Sequence, residues 1–172
     1  MSETLVINLF GAPGAGKSTG ASYLFFKLKQ SGINCEYITE FAKDKVWEEN
    51  ESVFKDQNYM FGKQSFKLSR VNGKVDVIIT DSPLPLCGYY SQDECKEERI
   101  RLVIKTFNTY RNLNYYINRV KDYNPIGRLQ NEKESDLIGQ DLKIFLNQNG
   151  IYPKEIPGDI IGYDKILSDI IL

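Results

Sequence analysis

The order of apolar segments in the sequence predicts an α/β fold, a parallel sheet covered by helices on both faces. Short apolar runs alternate with longer amphipathic segments along the 172 residues. Strands that alternate with helices are typical of such sheets, and the connections between their strands are right-handed. A chain of this length fits one domain, so we expect residues 1–172 to form a single unit.

The first half of the chain contains three predicted strands and two predicted helices. Residues 5–10 (LVINLF) form a short apolar run that ends at a glycine, which is typical of a buried strand. Residues 17–30 follow as a helix, because apolar residues recur there at helical spacing on one face. We expect a second strand over 35–39, a less regular helix over 54–71, and a β-branched central strand over 75–80.

The second half continues the alternation of helix and strand. The predicted elements are a helix over 93–110, a strand over 114–118, a polar loop over 119–131, a helix that ends near residue 150, a strand over 152–156 and a helix over 159–171. Asn131 and Glu134 have the spacing of a capping box, which predicts the start of the helix after the loop. Gly150 is typical of its end.

The composition is that of an ordinary globular protein, and it narrows the function classes. The sequence is 41% hydrophobic and 26% charged, with a formal net charge of −1. A charge so close to zero gives no general attraction to nucleic acid or to an anionic membrane. The first residues lack the basic segment and apolar run of a signal peptide, and no apolar stretch approaches the ~20 residues of a membrane helix. We therefore expect a cytoplasmic protein that does not enter a membrane.

The sequence contains no histidine and three cysteines, which are Cys35, Cys87 and Cys95. The absence of histidine excludes a Ser-His-Asp triad, a Cys-His pair and a zinc site of the Cys/His type. The cysteines show no C-x-x-C spacing, and we interpret them as reduced thiols. Any general base must therefore be a carboxylate or a lysine.

Residues 11–18 (GAPGAGKS) match the phosphate-binding pattern G-x-x-x-x-G-K-[ST], and they lie between a predicted strand and a predicted helix. Glycines let such a loop turn its backbone N–H groups inward, where these groups and the helix N-terminus attract phosphate. Lys17 adds a positive charge for the β- and γ-phosphates, and Ser18 offers a hydroxyl ligand to Mg²⁺. The sequence thus predicts a P-loop for ATP and Mg²⁺. Its nucleotide-binding residues are Gly11, Ala12, Pro13, Gly14, Ala15, Gly16, Lys17, Ser18 and Thr19.

The predicted strand over 75–80 leads directly into Asp81. An apolar strand that ends in Asp is typical of the Walker-B element, in which the carboxylate holds Mg²⁺ directly or through water. The sequence Asp81-Ser82-Pro83 is also a good turn, so the pattern alone has a purely structural interpretation. Because a P-loop lies upstream, we interpret Asp81 as a catalytic residue and as a magnesium ligand beside Ser18.

A basic segment, RVKDYNPIGR, follows the fourth predicted strand and contains Arg119, Lys121 and Arg128. Arginines in this place would clamp the phosphoryl group during its transfer. An ordinary solvated basic loop is the alternative interpretation. The position after a strand favours function, so we predict catalytic roles for Arg119 and Arg128.

These motifs resemble those of the small P-loop kinases of the nucleoside and nucleotide kinase superfamily. Within it, the nearest likeness is to the nicotinamide riboside kinase-like AAA-domain ATPases of bacteria and phages. The matching segments are GAPGAGKST, EYITEFAKD, a helix with Gln64 and Arg70, ITDSP, and RVKDYNPIGR before a Glu-rich helix start. Together they span most of the chain, and the P-loop is the highly specific one among them.

The resemblance implies a three-layer P-loop fold whose five parallel strands have the order 2-3-1-4-5. It also implies a small lid over ATP at about residues 119–136, and an acceptor site near the end of strand two. On this basis Glu40 or Asp81 serves as the base or the magnesium holder, and Gln64 hydrogen-bonds an acceptor base or amide. Typical deoxynucleoside kinases carry D/E-R-S or D-R-Y after strand three, whereas this sequence has DSP. The identity of the acceptor therefore stays open.

We expect ATP- and Mg²⁺-dependent phosphoryl transfer to a small nucleoside-like or nucleotide acceptor, achieved by positioning and charge neutralisation. ATP is favoured over GTP because the sequence lacks the N/T-K-x-D motif that reads guanine. Two alternatives stay open. One is a polynucleotide or DNA-base kinase, for which Lys63, Lys67 and Arg70 on one helix offer a modest basic surface. The other is a regulatory ATPase that acts through a protein partner.

Overall fold

The computed structural model describes residues 3–39, 56–126 and 130–171. The strands are β1 (Leu5–Phe10), β2 (Cys35–Ile38), β3 (Val77–Thr80), β4 (Arg111–Asn118) and β5 (Lys154–Pro157). The helices are α1 (Lys17–Gln30), α2 (Gln57–Ser69), α3 (Pro85–Tyr89), α4 (Lys96–Phe107), α5 (Glu132–Gln148) and α6 (Ile160–Ile171). Among the described residues, no helix combines the length and the apolarity needed to cross a membrane.

The strands form one parallel sheet in the order β2-β3-β1-β4-β5, which confirms the predicted fold class. The central strand β1 pairs Leu5 with Val77 of β3 on one side and with Arg111 of β4 on the other. Because all the strands run in the same direction, their carboxyl ends meet at one edge. Open α/β sheets bind their ligands at this edge.

Each face of the sheet carries its own apolar core. Val6 and Phe10 of β1 pack with α2 to α5, whereas Ile7 and Leu9 pack with α1 and α6. The alternation follows from the period of two along a strand, which directs successive side chains to opposite faces. Helices therefore cover both faces, and the molecule has the three layers that were predicted.

Some element bounds differ from the sequence-based expectations. β4 begins at Arg111, earlier than residue 114, because its polar first half also pairs with β1. The short helix α3 was not expected, and it starts with Pro85 in its first turn. The predicted capping box is present, since Asn131 Oδ1 accepts from the Glu134 N–H at 3.0 Å and Glu134 Oε2 accepts from the Asn131 N–H at 2.8 Å.

Candidate functional site

The loop between β1 and α1 turns sharply at the carboxyl edge of the sheet. Gly11, Gly14 and Gly16 have φ angles of 147°, 80° and 100°, which residues with a side chain rarely adopt. A Cβ on Gly11 would lie 2.7 Å from the Ile117 carbonyl oxygen, and one on Gly16 would lie 2.7 Å from the Tyr163 hydroxyl. The backbone conformation therefore favours glycine at all three positions, and close packing also requires it at Gly11 and Gly16.

The N-terminus of α1 is suited to bind an anion. Within the described residues, no side chain caps this end of the helix, and its first turn contains no acidic residue. The N–H groups of the first turn and the helix dipole make the end positive. Lys17 adds its ammonium group, since Nζ donates to the carbonyl oxygens of Gly11 at 2.8 Å and Ala12 at 3.1 Å. The positive charge thus lies directly against the loop.

Asp81 follows β3 at the same edge of the sheet, and only 4% of it is exposed. Its Oδ2 accepts a hydrogen bond from the Tyr37 hydroxyl at 2.7 Å. Val77 and Ile79 of β3 pack in the core that α1 shares, and Asp81 continues this alternation. The carboxylate therefore belongs to the face of the sheet that carries the P-loop helix.

Gln64 of α2 is buried, with 2% of its surface exposed. Its Nε2 donates to the Ser82 carbonyl oxygen at 3.2 Å and to Thr80 Oγ1 at 3.5 Å. Its Oε1 is buried and has no hydrogen-bond partner among the described residues. A buried carbonyl oxygen without a donor is costly. This part of the edge therefore offers a hydrogen-bond acceptor to a ligand or a water.

Arg119 directly follows β4 and is held by the first turns of α5. Its Nη2 donates to Asp136 Oδ1 at 2.6 Å and to Glu132 Oε1 at 3.2 Å. The guanidinium group lies 5.3 Å from the centre of the Tyr123 ring. Only 17% of the side chain is exposed, and its buried Nη1 has no partner in the described part of the chain. The Nη1 group of the Arg119 guanidinium can therefore donate a hydrogen bond to a further partner.

Three contacts hold the P-loop from outside its motif, and sequence reasoning missed all three. Ser135 of α5 donates to the Pro13 carbonyl oxygen at 2.7 Å, and Tyr163 of α6 donates to that of Gly16 at 2.9 Å. Gly158 packs so closely that a Cβ on it would lie 2.2 Å from a P-loop carbonyl oxygen. Of the three residues that make these contacts, only Gly158 could have been singled out from the sequence, because it is a glycine shortly after the last predicted strand.

A cavity of about 460 Å³ opens beside α1 and the loop after β5. Burial, with a smaller effect of the Asp159 carboxylate, raises the pKa of Tyr163, so its hydroxyl stays protonated at neutral pH. Ile160 and Ile161 are largely exposed there, although both are apolar. The lining residues are Thr19, Tyr23, Lys121, Asp159, Ile160, Ile161 and Tyr163. The cavity lies between α1, the helix that follows the P-loop, and the segments that follow β4 and β5.

The ends of three neighbouring strands bring most of the predicted residues to one edge of the sheet. The P-loop follows β1, Asp81 follows β3, and Arg119 follows β4. Glu40 and Arg128 lie outside the described residues, as does part of the predicted lid at 127–129.

A sheet in this order, with a glycine-rich loop after its central strand, defines the P-loop kinase fold. Among solved structures, the chain is similar to deoxyadenosine kinase from M. mycoides, with 19% identity and a TM-score of 0.57 over 96% of this chain and 98% of that one. It is also similar to APS kinase from Mycobacterium tuberculosis, with 14% identity and a TM-score of 0.45 over 86% of this chain and 99% of that one. At 19% identity, the likeness to deoxyadenosine kinase is one of fold. No protein-family model matches the chain, and no curated protein matches it in sequence.

Proposed function

We propose that this protein transfers the γ-phosphoryl group of ATP, with Mg²⁺, to a small nucleoside-like or nucleotide acceptor. The observation that carries the proposal is the P-loop itself, in which positive-φ glycines, an uncapped helix N-terminus and the Lys17 ammonium group come together. The fold supports it further, because deoxyadenosine kinase shares the fold over nearly the whole of both chains.

The side chains present fit ATP and Mg²⁺. Gly11, Gly14 and Gly16 adopt the positive φ angles that the turn of the loop requires, and the loop offers N–H groups where phosphate oxygens need donors. Ser18 and Asp81 would supply hard oxygen ligands. Mg²⁺ is commonly bound by one or two such groups together with phosphate oxygens and waters.

The reaction needs little covalent chemistry from the protein. The acceptor hydroxyl oxygen forms a bond to the γ-phosphorus, the bond from that phosphorus to the bridging oxygen breaks, and ADP leaves with the electron pair. The hydroxyl proton passes to a carboxylate, for which Asp81 and Glu40 are the candidates. Lys17 stabilises negative charge on the phosphates, and bound Mg²⁺ neutralises more of it. Arg119 and Arg128, which belong to the predicted lid, would also stabilise this negative charge.

The cavity beside α1 is a suitable place for the nucleoside part of ATP. It begins at Thr19, next to the phosphate-binding residues, and ends at the apolar surface of Ile160 and Ile161. A purine ring gains by covering exposed apolar groups. Lys121 and Asp159 at the rim supply polar groups for the edges of such a ring.

The acceptor would lie on the other side of the P-loop, near the ends of β2 and β3. Gln64 supports this assignment, because its fixed amide leaves Oε1 buried and without a described partner. An N–H or O–H group on the acceptor would satisfy that oxygen. This need for a donor is consistent with a nucleobase, an amide or a sugar hydroxyl.

The direct test of the function measures ADP release with ATP and Mg²⁺ across acceptors. The panel contains nucleosides, deoxynucleosides, nucleoside monophosphates, nicotinamide riboside and a 5′-hydroxyl oligonucleotide. We expect one small-molecule class to stimulate release strongly. A flat panel with ADP and ATP binding intact would contradict a kinase and favour the regulatory ATPase. Stimulation by the oligonucleotide alone, falling steeply with salt, would favour the polynucleotide kinase.

Replacement of Lys17 tests the site within the same assay. Lys17→Ala should lower the stimulated rate by at least about 100-fold, because it removes a preorganised charge from the transferring group. Lys29→Ala is the matched control, since Lys29 lies exposed near the other end of α1. It should retain the parent rate. A normal circular dichroism spectrum together with an unchanged rate in Lys17→Ala would refute the assignment.

A further inference from the structure

Tyr37 of β2 donates its hydroxyl to Asp81 Oδ2 at 2.7 Å. In the parallel register Tyr37 lies beside Ile79 of β3, so these two residues and Asp81 belong to one face of the sheet. The contact thus follows from the pairing of β2 with β3. The distance is that of a charge-assisted O–H···O⁻ bond, which is stronger than a neutral one.

The main chain around Asp81 is fixed by other contacts. Thr80 pairs with β1 on one side and β2 on the other. The Ser82 carbonyl oxygen accepts from Gln64 Nε2 at 3.2 Å. These contacts do not determine the rotation of the carboxylate about its Cβ–Cγ bond, a torsion with only broad preferences. The Tyr37 hydroxyl restricts that rotation.

A tyrosine hydroxyl suits this task because it is a neutral donor. A lysine or arginine in its place would add a positive charge that opposes a cation at the carboxylate. Carboxylates that hold metals are themselves commonly hydrogen-bonded, and loss of such a partner costs about 10–100-fold in metal affinity or activity. We propose that Tyr37 is a positioning residue, which orients the Asp81 carboxylate toward Mg²⁺. The inference rests on the proposed function, in which Asp81 is a magnesium ligand.

The test uses Tyr37→Phe, which removes the hydroxyl and keeps the ring. Mn²⁺ is titrated into the protein with ADP, and free Mn²⁺ is read by electron paramagnetic resonance. We expect Mn²⁺ binding to weaken by about 10-fold or more, while ADP affinity in EDTA equals that of the parent. Tyr115→Phe is the matched control, because Tyr115 also donates to an aspartate, Asp169, at 2.7 Å but within the layer of α6. Its Mn²⁺ affinity should not change.

A double variant separates positioning from a general structural effect. Because Tyr37 acts through Asp81, adding Tyr37→Phe to Asp81→Asn should cause no further loss of Mn²⁺ affinity. The Mg²⁺ concentration for half-maximal turnover should rise in Tyr37→Phe by the same factor as the Mn²⁺ dissociation constant, with the KM for ATP at saturating Mg²⁺ unchanged.

The possible outcomes distinguish this inference from the proposed function. Equal Mn²⁺ affinities for Tyr37→Phe and the parent would overturn the role of Tyr37 and leave the kinase proposal standing. An equal loss of Mn²⁺ affinity in Tyr115→Phe would also overturn the role of Tyr37, since the loss would then not depend on the contact with Asp81. Failure of the parent to bind ADP, or to bind Mn²⁺ together with ADP, would overturn both proposals.

Discussion

Gly158 is a point at which the end of β5 meets the P-loop and no side chain fits. A Cβ there would lie 2.2 Å from the Ala15 carbonyl oxygen and 3.0 Å from that of Asn118. Both are backbone atoms, which cannot rotate away. We expect Gly158→Ala to destabilise the protein by about 1–3 kcal/mol through overpacking. Because the P-loop must move, ADP binding should weaken by at least about 10-fold. Urea denaturation and calorimetric titration with ADP measure the two effects.

A second glycine provides the control for this prediction. Gly62 lies in α2, and a Cβ on it would meet no atom of the described residues within 4 Å. Gly62→Ala should therefore raise stability by about 0.5–1 kcal/mol, since alanine is the better helix former, and leave ADP binding unchanged. If Gly158→Ala bound ADP as tightly as Gly62→Ala does, the close packing at β5 would have no part in nucleotide binding.

Sequence reasoning predicted site residues that belong to a local pattern, and it did not predict side chains whose contacts are distant in the chain. The P-loop residues were predicted because their spacing is itself the signal. Tyr37 reaches a partner 44 positions away, and Ser135 reaches one 122 positions away. Strand register and the rotation of each helix about its axis decide such contacts. Neither can be predicted from the types of the residues that make the contact. Gln64 was considered as an acceptor contact only through the resemblance, and its burial depends on how α2 packs.

At the scale of elements, the apolar runs were predicted well, whereas the polar first half of β4 and the short helix α3 were not predicted. β1 and α1 have the predicted bounds, because one is a continuous apolar run and the other has a regular apolar face. The first half of β4 reads RNLN, which has no apolar pattern, yet the central strand pairs with it. α3 contains a proline and a glycine in five residues, a composition more typical of a turn.

The capping box at the start of α5 predicts a measurable share of stability. Asn131 and Glu134 satisfy each other's backbone N–H groups, so Asn131→Ala should cost about 1 kcal/mol. That change lowers Tm by roughly 2–4 °C for a domain of this size. Asn147→Ala, at an exposed position in the last turn of the same helix, should be neutral or slightly stabilising. Equal losses in both variants, measured by thermal denaturation, would contradict a specific cap.

At the scale of the whole molecule, the alternation of strands and helices follows from the sequence, whereas the order of the strands does not. Periodicity predicts which segments are strands, but it does not predict which strands are neighbours, because every connection between parallel strands is a long crossover that can pass over other strands. The order 2-3-1-4-5 was expected from the resemblance and is confirmed. That order places β1 between β3 and β4, so the residues that follow these three strands lie at one edge of the sheet. The strand order therefore has to be known before these residues can be predicted to lie together.

Ion pairs join several of these elements and connect the stability of the molecule to pH. Hydrogen bonds from a cationic side chain are the main cause of a lowered carboxyl pKa at Asp93 (from Arg99), Glu155 (from Lys143) and Asp169 (from Lys154). A carboxyl with a lowered pKa in the folded state binds protons first in the unfolded chain as the pH falls. Its stabilising contribution is therefore complete above the ordinary values of 3.8 for aspartate and 4.5 for glutamate. It is lost as the pH falls below them through the lowered values.

Asp93 is the best of the three for a test, because its partner Arg99 is 3% exposed and also donates to Asn58 of α2 at 2.8 Å. Asp93→Asn leaves a buried guanidinium group without its charged partner, so it should be less stable than the parent at neutral pH. The difference should shrink as the pH falls below 3.8, because Asp93 then binds protons in the unfolded parent before it does so in the folded parent, where its pKa is lowered. Urea denaturation from about pH 7 to about pH 3 measures the difference, with Glu94→Gln at the exposed neighbouring carboxylate as the control. A difference between Asp93→Asn and the parent that stays constant down to the lowest pH would mean that the contact between Asp93 and Arg99 stabilises the protein by packing and not by charge.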